Sequence, residues 1–359
     1  MPMQKPHLHY LLFYVTSRCN LRCKHCFYLD ELNQHEEMAL DEIQTLARNL
    51  HPLQFVRITG GEPFLRKDLP EVIEAFYQHA KTRRVGVITN GTRPEWVEER
   101  TTAILKHCPD LSLDIGVSLD GPEAIHDEIR GLKGSFHKAK ESAQRLIALK
   151  KRFPTLSTSL VTTVTAKNEP VLNSFYEEIA AWGVDRLSVN HIRGKVHDEE
   201  LKEINYQTYL DFAQRCEAYH LNRDASWKAS VQRAKNRLTR QAIEEIVDGK
   251  PTRIPCLAGS AIGVLYSDGE LYLCEMLNSS LAATYTAPEA HARIGNVRDA
   301  GGDFYALWHS EAAQRGRDWI RATNCSCSHE CFLTASIYFG KRNYPALAKE
   351  WLKTLVLKH

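Results

Sequence analysis

A regular alternation of strand-like and helix-like segments constrains the fold of this chain more than any other feature. Short apolar, β-branched runs recur roughly every thirty residues and predict strands at residues 10–16, 55–59, 85–89, 114–118, 157–163 and 186–189. Segments with helical periodicity lie between them, at residues 39–50, 69–80, 94–107, 136–152 and 170–182. Such alternation is typical of a parallel sheet with helices outside it. Six units are too few for a closed eight-stranded barrel, so we predict a partial (β/α)6 TIM-like barrel with active-site loops at the carboxyl ends of its strands.

Three cysteines follow the first predicted strand directly. Cys19, Cys23 and Cys26 have a C-x3-C-x2-C spacing. Three thiolates on one short loop can hold three irons of a [4Fe-4S] cluster and leave the fourth iron open, whereas a cluster that only carries electrons has four cysteine ligands. The alternative is zinc, which usually takes four ligands from paired Cys/His motifs. The spacing favours a cluster with an open iron, and His25 inside the loop is not expected to be a ligand.

Motifs at later strand ends extend this pattern. Gly60-Gly61-Glu62-Pro63 follows the second predicted strand, and Ser118-Leu-Asp120-Gly-Pro follows the fourth. Together with the cysteine loop they resemble the radical S-adenosylmethionine (SAM) superfamily, in particular its members with a C-terminal SPASM or twitch extension. The resemblance implies that the open iron chelates the amino and carboxylate groups of SAM. It also implies reductive cleavage of SAM to a 5′-deoxyadenosyl radical, which abstracts a substrate hydrogen.

The resemblance further implies a set of SAM-binding residues. The Gly-Gly-Glu-Pro element would hold the methionyl amine, Ser118 would bond the ribose or carboxylate, and Arg130 would pair with the carboxylate. The alternatives are a simple Gly-Gly turn and, for Asp120 and Arg130, a local turn with a surface ion pair. His25 departs from the family, because many relatives have an aromatic residue at this position. Residues at other strand ends are further candidates, and the complete set is Tyr28, Thr59, Gly60, Gly61, Glu62, Pro63, Asn90, Ser118, Asp120, Arg130, Thr163, Asn190 and Arg193.

A second set of cysteines lies in the C-terminal third. Cys256 and Cys274 are separated by seventeen residues, with Gly269 five residues before Cys274. This resembles the start of a SPASM/twitch domain, which binds auxiliary [4Fe-4S] clusters. A full SPASM domain has about seven cysteines for two clusters, and this region has five, so we predict one auxiliary cluster of twitch type. Its predicted ligands are Cys256, Cys274 and Cys331, with Cys325 and Cys327 competing for the fourth place; the alternative is a structural zinc ribbon.

Glu275 directly follows the second of these cysteines. In some SPASM relatives an acidic residue at this place serves as a base, so Glu275 is our candidate catalytic residue: it could take a substrate proton while the cluster takes an electron. The alternative is a solvated glutamate beside a hairpin.

Composition limits the function classes. The chain has 359 residues, a formal net charge of +2 and 43% hydrophobic residues, which gives no case for nucleic-acid or membrane binding. Ten cysteines without a secretory signal favour a reduced, cytoplasmic location. The predicted domains are a barrel at 1–200, a helical connector at 201–250, a twitch/SPASM-like iron–sulfur domain at 251–335 and a C-terminal helix at 336–359.

These features predict a radical SAM enzyme that oxidises, crosslinks or epimerises its substrate, with a flavodoxin- or ferredoxin-type reductant. Cys19 leaves no room for an N-terminal peptide-recognition module, which favours a small metabolite such as a sugar, aminoglycoside or amino acid derivative, although a peptide stays possible. The chain ends without the di-glycine tail of molybdopterin-precursor cyclases, so that activity is not expected. The alternative function is an iron–sulfur electron carrier or zinc-stabilised binding module without SAM chemistry.

Overall fold

Six parallel strands form the larger part of one sheet. The computed structural model describes residues 6–221, 226–277 and 292–356. Each strand pairs in parallel with the next one along the chain, which confirms the predicted partial barrel. The strands are β1 (Tyr10–Thr16), β2 (Phe55–Gly60), β3 (Arg84–Thr89), β4 (Ser112–Ser118), β5 (Leu156–Val164) and β6 (Arg186–His191).

Helices connect these strands on the outer side of the sheet. Phe13 of β1 contacts Phe76 on this side, with ring centroids 5.9 Å apart, so Tyr10 and Tyr14 point to the opposite, inner face. Two helices separate β4 from β5, of which the sequence predicted one. The connecting helices are α1 (Leu40–Asn49), α2 (Leu69–Gln78), α3 (Pro94–His107), α4 (Glu123–Arg130), α5 (Ser135–Leu149) and α6 (Leu172–Ala180).

The C-terminal region extends the same sheet. β7 (Ile262–Leu265) pairs in parallel with β1, and β8 (Glu270–Tyr272) and β9 (Arg293–Asn296) continue the sheet in antiparallel pairing. The strand order is therefore β6-β5-β4-β3-β2-β1-β7-β8-β9. The sequence predicted a separate iron–sulfur domain here and did not predict this shared sheet.

The remaining helices lie on both sides of the sheet and along its open edge. The predicted helical connector at 201–250 contains two helices. None of the helices in the described part of the chain is long and apolar enough to cross a bilayer. These helices are α7 (Tyr206–Leu221), α8 (Trp227–Val247), α9 (Phe304–Trp308), α10 (Glu311–Ala322), α11 (Glu330–Phe339) and α12 (Tyr344–Val356).

α11 lies along the inner face of β1. Near its start, the thiol of Cys331 is within hydrogen-bonding reach of the Tyr10 hydroxyl. At its end, the ring of Phe339 stacks on that of His9, with centroids 4.6 Å apart. On its other side α11 meets α8, where the ammonium group of Lys235 lies 3.5 Å from the hydroxyl of Thr334. The helix thus occupies the interior of the open barrel.

Asp127 caps the start of α5. Its Oδ1 accepts hydrogen bonds from the backbone N–H of Phe136 and the hydroxyl of Ser135, both at 2.8 Å. Replacing Asp127 by Ala should lower the free energy of unfolding by about 1–2 kcal/mol, since it leaves helix N-terminal N–H groups without their acceptor. Chemical denaturation at neutral pH measures this difference, and an unchanged stability would contradict the capping role.

The Asp127 cap also makes the free energy of unfolding depend on pH. Burial raises the pKa of Asp127, but the backbone N–H groups of Phe136 and Gly134 outweigh it and hold the pKa below its ordinary value. The stabilisation is therefore complete above the unfolded-state pKa, about 4, and is lost as the pH falls through the lower folded-state value. Asp127→Asn, which keeps the size of the side chain, should remove this acid-side dependence.

Candidate functional site

The first three cysteines lie together on the loop that follows β1. Cys23 is buried, and Cys19 and Cys26 are partly buried. The loop is held by its own backbone, in which Cys26 N–H donates to the carbonyl of Cys23 at 3.0 Å, and by a bond from Lys24 N–H to the carbonyl of Ile129 at 2.9 Å. Burial raises the pKa of Cys19 and of Cys26 to about 12, and the neighbouring thiol of Cys23 raises both values further. A buried thiol ionises readily only when a cation lies beside it, and iron is such a cation. The three thiols on this loop therefore fit an iron–sulfur cluster.

A buried ion pair lies directly beside this loop. The guanidinium of Arg130 lies 2.7 Å from the carboxylate of Asp120 and 3.8 Å from the Cys23 sulfur. Asp120 is fully buried. The surface ion pair that was the alternative for these two residues is thus excluded, because the pair is buried, and Arg130 faces a candidate cluster ligand. Burial lowers the pKa of His25 to about 4, so the imidazole is neutral at its position 3.9 Å from Asp120.

The two glycines of the Gly-Gly-Glu-Pro element pack against the cysteine loop. Gly61 N–H donates to the carbonyl of Thr16 at 2.8 Å, and a Cβ on Gly61 would lie 2.2 Å from the carbonyl oxygen of Arg18. Gly60 has a φ of +117°. The two glycines therefore let this element lie directly against the cysteine loop, and a side chain at either position would push the loop away.

The carboxylate of Glu62 joins two neighbouring strand ends. It accepts hydrogen bonds from Phe64 N–H at 3.0 Å, from the Thr89 hydroxyl at 2.8 Å and from Asn90 N–H at 2.7 Å. Glu62 is 2% exposed. With three protein donors already bound, the Glu62 carboxylate stabilises the loop that would hold SAM. The predicted contact with the ammonium group of SAM would be a fourth interaction of the same carboxylate.

The other predicted SAM-site residues lie at the carboxyl ends of the strands. Asn90 reaches the cysteine loop, where its Nδ2 donates to Asn20 Oδ1 at 3.0 Å. Thr163 is paired with Asn190 in the β5–β6 register, and its backbone N–H donates to Asp120 at 3.0 Å. Ser118 and Pro63 are buried, Thr59 is partly buried, and Tyr28 packs on Tyr14 with ring centroids 4.9 Å apart.

Four cysteines of the second set line one small cavity. They are Cys256, Cys274, Cys325 and Cys327, and the rest of the lining is mainly apolar. Within the described residues, no three His, Cys, Asp or Glu side chains converge closely enough to hold a single ion, whereas a cluster requires thiols spaced around a cube. Four thiols around an apolar space fit a [4Fe-4S] cluster.

Cys331 lies apart from this cavity. Its thiol is close to the Tyr10 hydroxyl and to the guanidinium of Arg57, and burial raises its pKa. The sequence made Cys331 a ligand and left Cys325 and Cys327 as competitors. The structure instead brings Cys325 and Cys327 to the cavity together and directs Cys331 to the barrel interior.

Glu275 is a buried residue in a hydrogen-bonded chain, which excludes the solvated alternative. Tyr14 donates its hydroxyl to Glu275 Oε2 at 2.7 Å, and His329 Nε2 bonds Oε1. Burial raises the pKa of Glu275, but the His329 and Arg193 charges and the Tyr14 hydroxyl outweigh it and leave the pKa below its ordinary value. Glu275, which follows Cys274, therefore links Tyr14 of β1 to His329, which lies between Cys327 and Cys331.

Arg193 lies beside the second cysteine set. Its guanidinium forms an ion pair with Glu330, next to Cys331, and the Tyr209 hydroxyl lies 3.3 Å from the same carboxylate. His191 bonds the Ser328 hydroxyl at 2.7 Å. These bonds tie the end of β6 to the loop that carries Cys325 and Cys327. Sequence reasoning missed Tyr14, His329 and Glu330; the placement of His329 and Glu330 between cysteines was the one available signal.

Comparison with known proteins identifies the first part of the chain. Residues 13–170 match the family model described as Radical SAM superfamily, whose members use a [4Fe-4S] cluster and SAM. The Fe-coproporphyrin III synthase of Methanosarcina barkeri is 39% identical over 133 residues, 35% of this chain and 30% of that protein. The GTP 3′,8-cyclase of Pectobacterium atrosepticum is 26% identical over 213 residues, 55% of this chain and 64% of that protein. The matched part thus spans less than two thirds of either relative.

Solved structures resemble nearly the whole chain. Native anSMEcpe with bound AdoMet and Cp18Cys peptide superposes with a TM-score of 0.59 at 19% identity, covering 98% of both chains. SuiB from Streptococcus suis bound to its precursor peptide SuiA gives a TM-score of 0.59 at 14% identity, over 87% of this chain and 67% of that one. At such identities the likeness concerns the fold, including the C-terminal extension of the sheet.

Proposed function

This chain carries a radical SAM domain, and from that premise we propose that it is an enzyme that cleaves SAM reductively and then oxidises, crosslinks or epimerises a substrate. When bound, the cluster on the first cysteine loop supplies the electron that converts SAM to a 5′-deoxyadenosyl radical. The observation that carries the proposal is the separation of two thiol sets: three thiols on the loop after β1, and four around one cavity.

The two thiol sets lie toward opposite ends of β1. The first follows the carboxyl end of the strand. Cys256 precedes β7, and Cys274 follows β8, which runs antiparallel to β7, so both lie toward the amino end. The distance between the sets is roughly the length of a seven-residue strand, on the order of 20 Å. This supports a substrate site between a radical source at one end of the sheet and an electron acceptor at the other.

The substrate is proposed to be a small metabolite or a peptide. The named relatives act on small molecules by their descriptions, and both structural neighbours were solved with peptides. An electron lost from the substrate radical would pass to the cluster that the second thiol set would hold, and a flavodoxin- or ferredoxin-type protein is the proposed reductant.

Within this scheme Glu275 is the proposed base. Its Oε2 would take a substrate proton, with Tyr14 and His329 fixing the orientation of the carboxylate. Replacing Glu275 by Gln should lower product formation by 10²-fold or more, with SAM cleavage retained. The measurement is the ratio of product to 5′-deoxyadenosine, with Tyr14→Phe as the conservative comparison. Equal ratios in wild type and the Gln variant would remove Glu275 as the base.

The proposed function is tested by incubating the anaerobically reconstituted protein with SAM and dithionite. We expect 5′-deoxyadenosine from the wild type and none from Cys23→Ala, with Cys108→Ala, a buried thiol outside both sets, as the matched control. A fully reconstituted wild type that forms no 5′-deoxyadenosine would favour an iron–sulfur electron carrier instead.

A further inference from the structure

Charged side chains from three strands meet on the face of the sheet that carries Tyr10. Arg57 of β2 and Arg186 of β6 both form ion pairs with Asp114 of β4, and Nη1 of Arg57 lies 3.9 Å from an Asp114 oxygen. Gly86 of β3 stands between Arg57 and Asp114 in the strand register. A Cβ on Gly86 would lie 2.4 Å from the Arg57 guanidinium. The absence of a side chain at Gly86 therefore lets Arg57 extend across β3.

A buried lysine from α8 adds another cation to this group. Lys235 is 8% exposed, and its ammonium group lies 3.5 Å from the Thr334 hydroxyl of α11. Burial lowers the pKa of Lys235 to about 8, and the nearby charge of Arg186 contributes to the lowering. The carboxylates whose charges act on Lys235, Glu217 and Glu330, are each paired with an arginine. Among the described residues, no carboxylate oxygen lies within 4.0 Å of the Lys235 ammonium group.

We call Arg57, Arg186 and Lys235 the interior cations. The carboxylate of Asp114 pairs with both arginines, so one negative charge stands against three positive charges. Charges taken out of water are costly unless groups of opposite charge lie beside them. The side chain of Arg186 is 38% exposed, which makes the group accessible from solvent. The described part of the chain therefore leaves the interior cations short of negative charge, at a place that a small anion can reach.

We propose that the interior cations bind an anionic group of the substrate, a carboxylate or a phosphate, an inference that rests on the proposed function. Arginine binds either group through parallel N–H donors, and lysine adds a compact charge. Arg57 bonds the hydroxyl of Tyr10, and Tyr14, the partner of Glu275, lies on the same face of β1. Two side chains four residues apart on a strand are separated by roughly 13 Å. A small metabolite or short peptide held by its anionic group can span that distance to the proposed base.

The test is the thermal midpoint of the anaerobically reconstituted protein at pH 7 in inorganic phosphate, acetate or chloride of equal ionic strength. We expect phosphate, acetate or both to stabilise the wild type relative to chloride, and the more effective anion identifies the group that the substrate carries. The dependence of the midpoint on anion concentration gives the dissociation constant. Lys235→Met should raise this constant by about 10-fold or more, because it removes a charged donor. The matched control is Lys228→Met, at an exposed lysine of the same helix, which should bind like the wild type.

In chloride, Lys235→Met should melt no lower than the wild type, because it removes a buried charge that has no partner. A clearly lower midpoint would make Lys235 a structural residue and overturn the anion site. Equal stabilisation of all three proteins by the two anions, or of none of them, would also overturn it. The dithionite assay separates the two proposals. Formation of 5′-deoxyadenosine by a wild type that ignores both anions rejects the anion site and leaves the proposed function standing. An anion response without 5′-deoxyadenosine rejects the proposed function, and with it the assignment of the anion to a substrate.

Discussion

The Cys327→Ser variant should lose its auxiliary cluster, whereas Cys331→Ser should keep it. Cys327 lines the cavity with Cys256, Cys274 and Cys325, so its removal takes one of four ligands away. Cys331 faces Tyr10 and Arg57 instead. After anaerobic reconstitution, iron and sulfide analysis should show a loss of about four irons per chain for Cys327→Ser and of almost none for Cys331→Ser.

Cys216→Ser is the control for this comparison, because Cys216 is buried in α7 and lies outside the cavity. The reverse pattern, with iron lost on replacement of Cys331 and retained on replacement of Cys327, would contradict the ligand set that the cavity defines. Cys331 would then be a cluster ligand, as predicted from the sequence.

Replacing Asp120 by Ala should lower the free energy of unfolding by about 3–5 kcal/mol, because it leaves the buried guanidinium of Arg130 without its partner. The ion pair is 2.7 Å long and Asp120 is fully buried. Asp120 also receives the backbone N–H of Thr163, so the end of β5 loses an acceptor. Urea denaturation of the cluster-free protein measures the effect on the chain itself.

Asp110→Ala is the matched control, since Asp110 pairs with Arg83 at the surface, where its side chain is 64% exposed. A solvated pair of this kind contributes little to stability, so the midpoint should barely move. Equal midpoints for the two variants would show that the Asp120–Arg130 pair does not support the cysteine loop.

The barrel strands were predictable because each is a short run rich in apolar and β-branched residues, and β1 is buried along its whole length. Their predicted bounds agree with β1 to β6 within two residues at each end. α11 could not be recognised in the same way, because it lies inside the barrel, contacts protein on several sides and has no polar face. α4 has only eight residues, between Pro122 and Gly131, and is too short for a periodic signal.

The site was predictable where the chemistry is local. The spacing of Cys19, Cys23 and Cys26 identifies a cluster loop without any knowledge of packing. The ligands of the second set depend on long-range packing: α11 begins at Glu330, so Cys331 belongs to a helix that enters the barrel, while Cys325 and Cys327 stay in the loop before it. The ion pair of Arg193 with Glu330 follows from the same packing.

The most direct test of the account is the iron and sulfide content of the wild type and of the Cys19/Cys23/Cys26→Ala variant, with EPR spectra of both after anaerobic reconstitution and reduction. We predict about eight irons in the wild type and about four in the variant, with a cluster signal remaining. About four irons in the wild type, lost entirely in the variant, would contradict the account, because the second cysteine set would then hold no cluster.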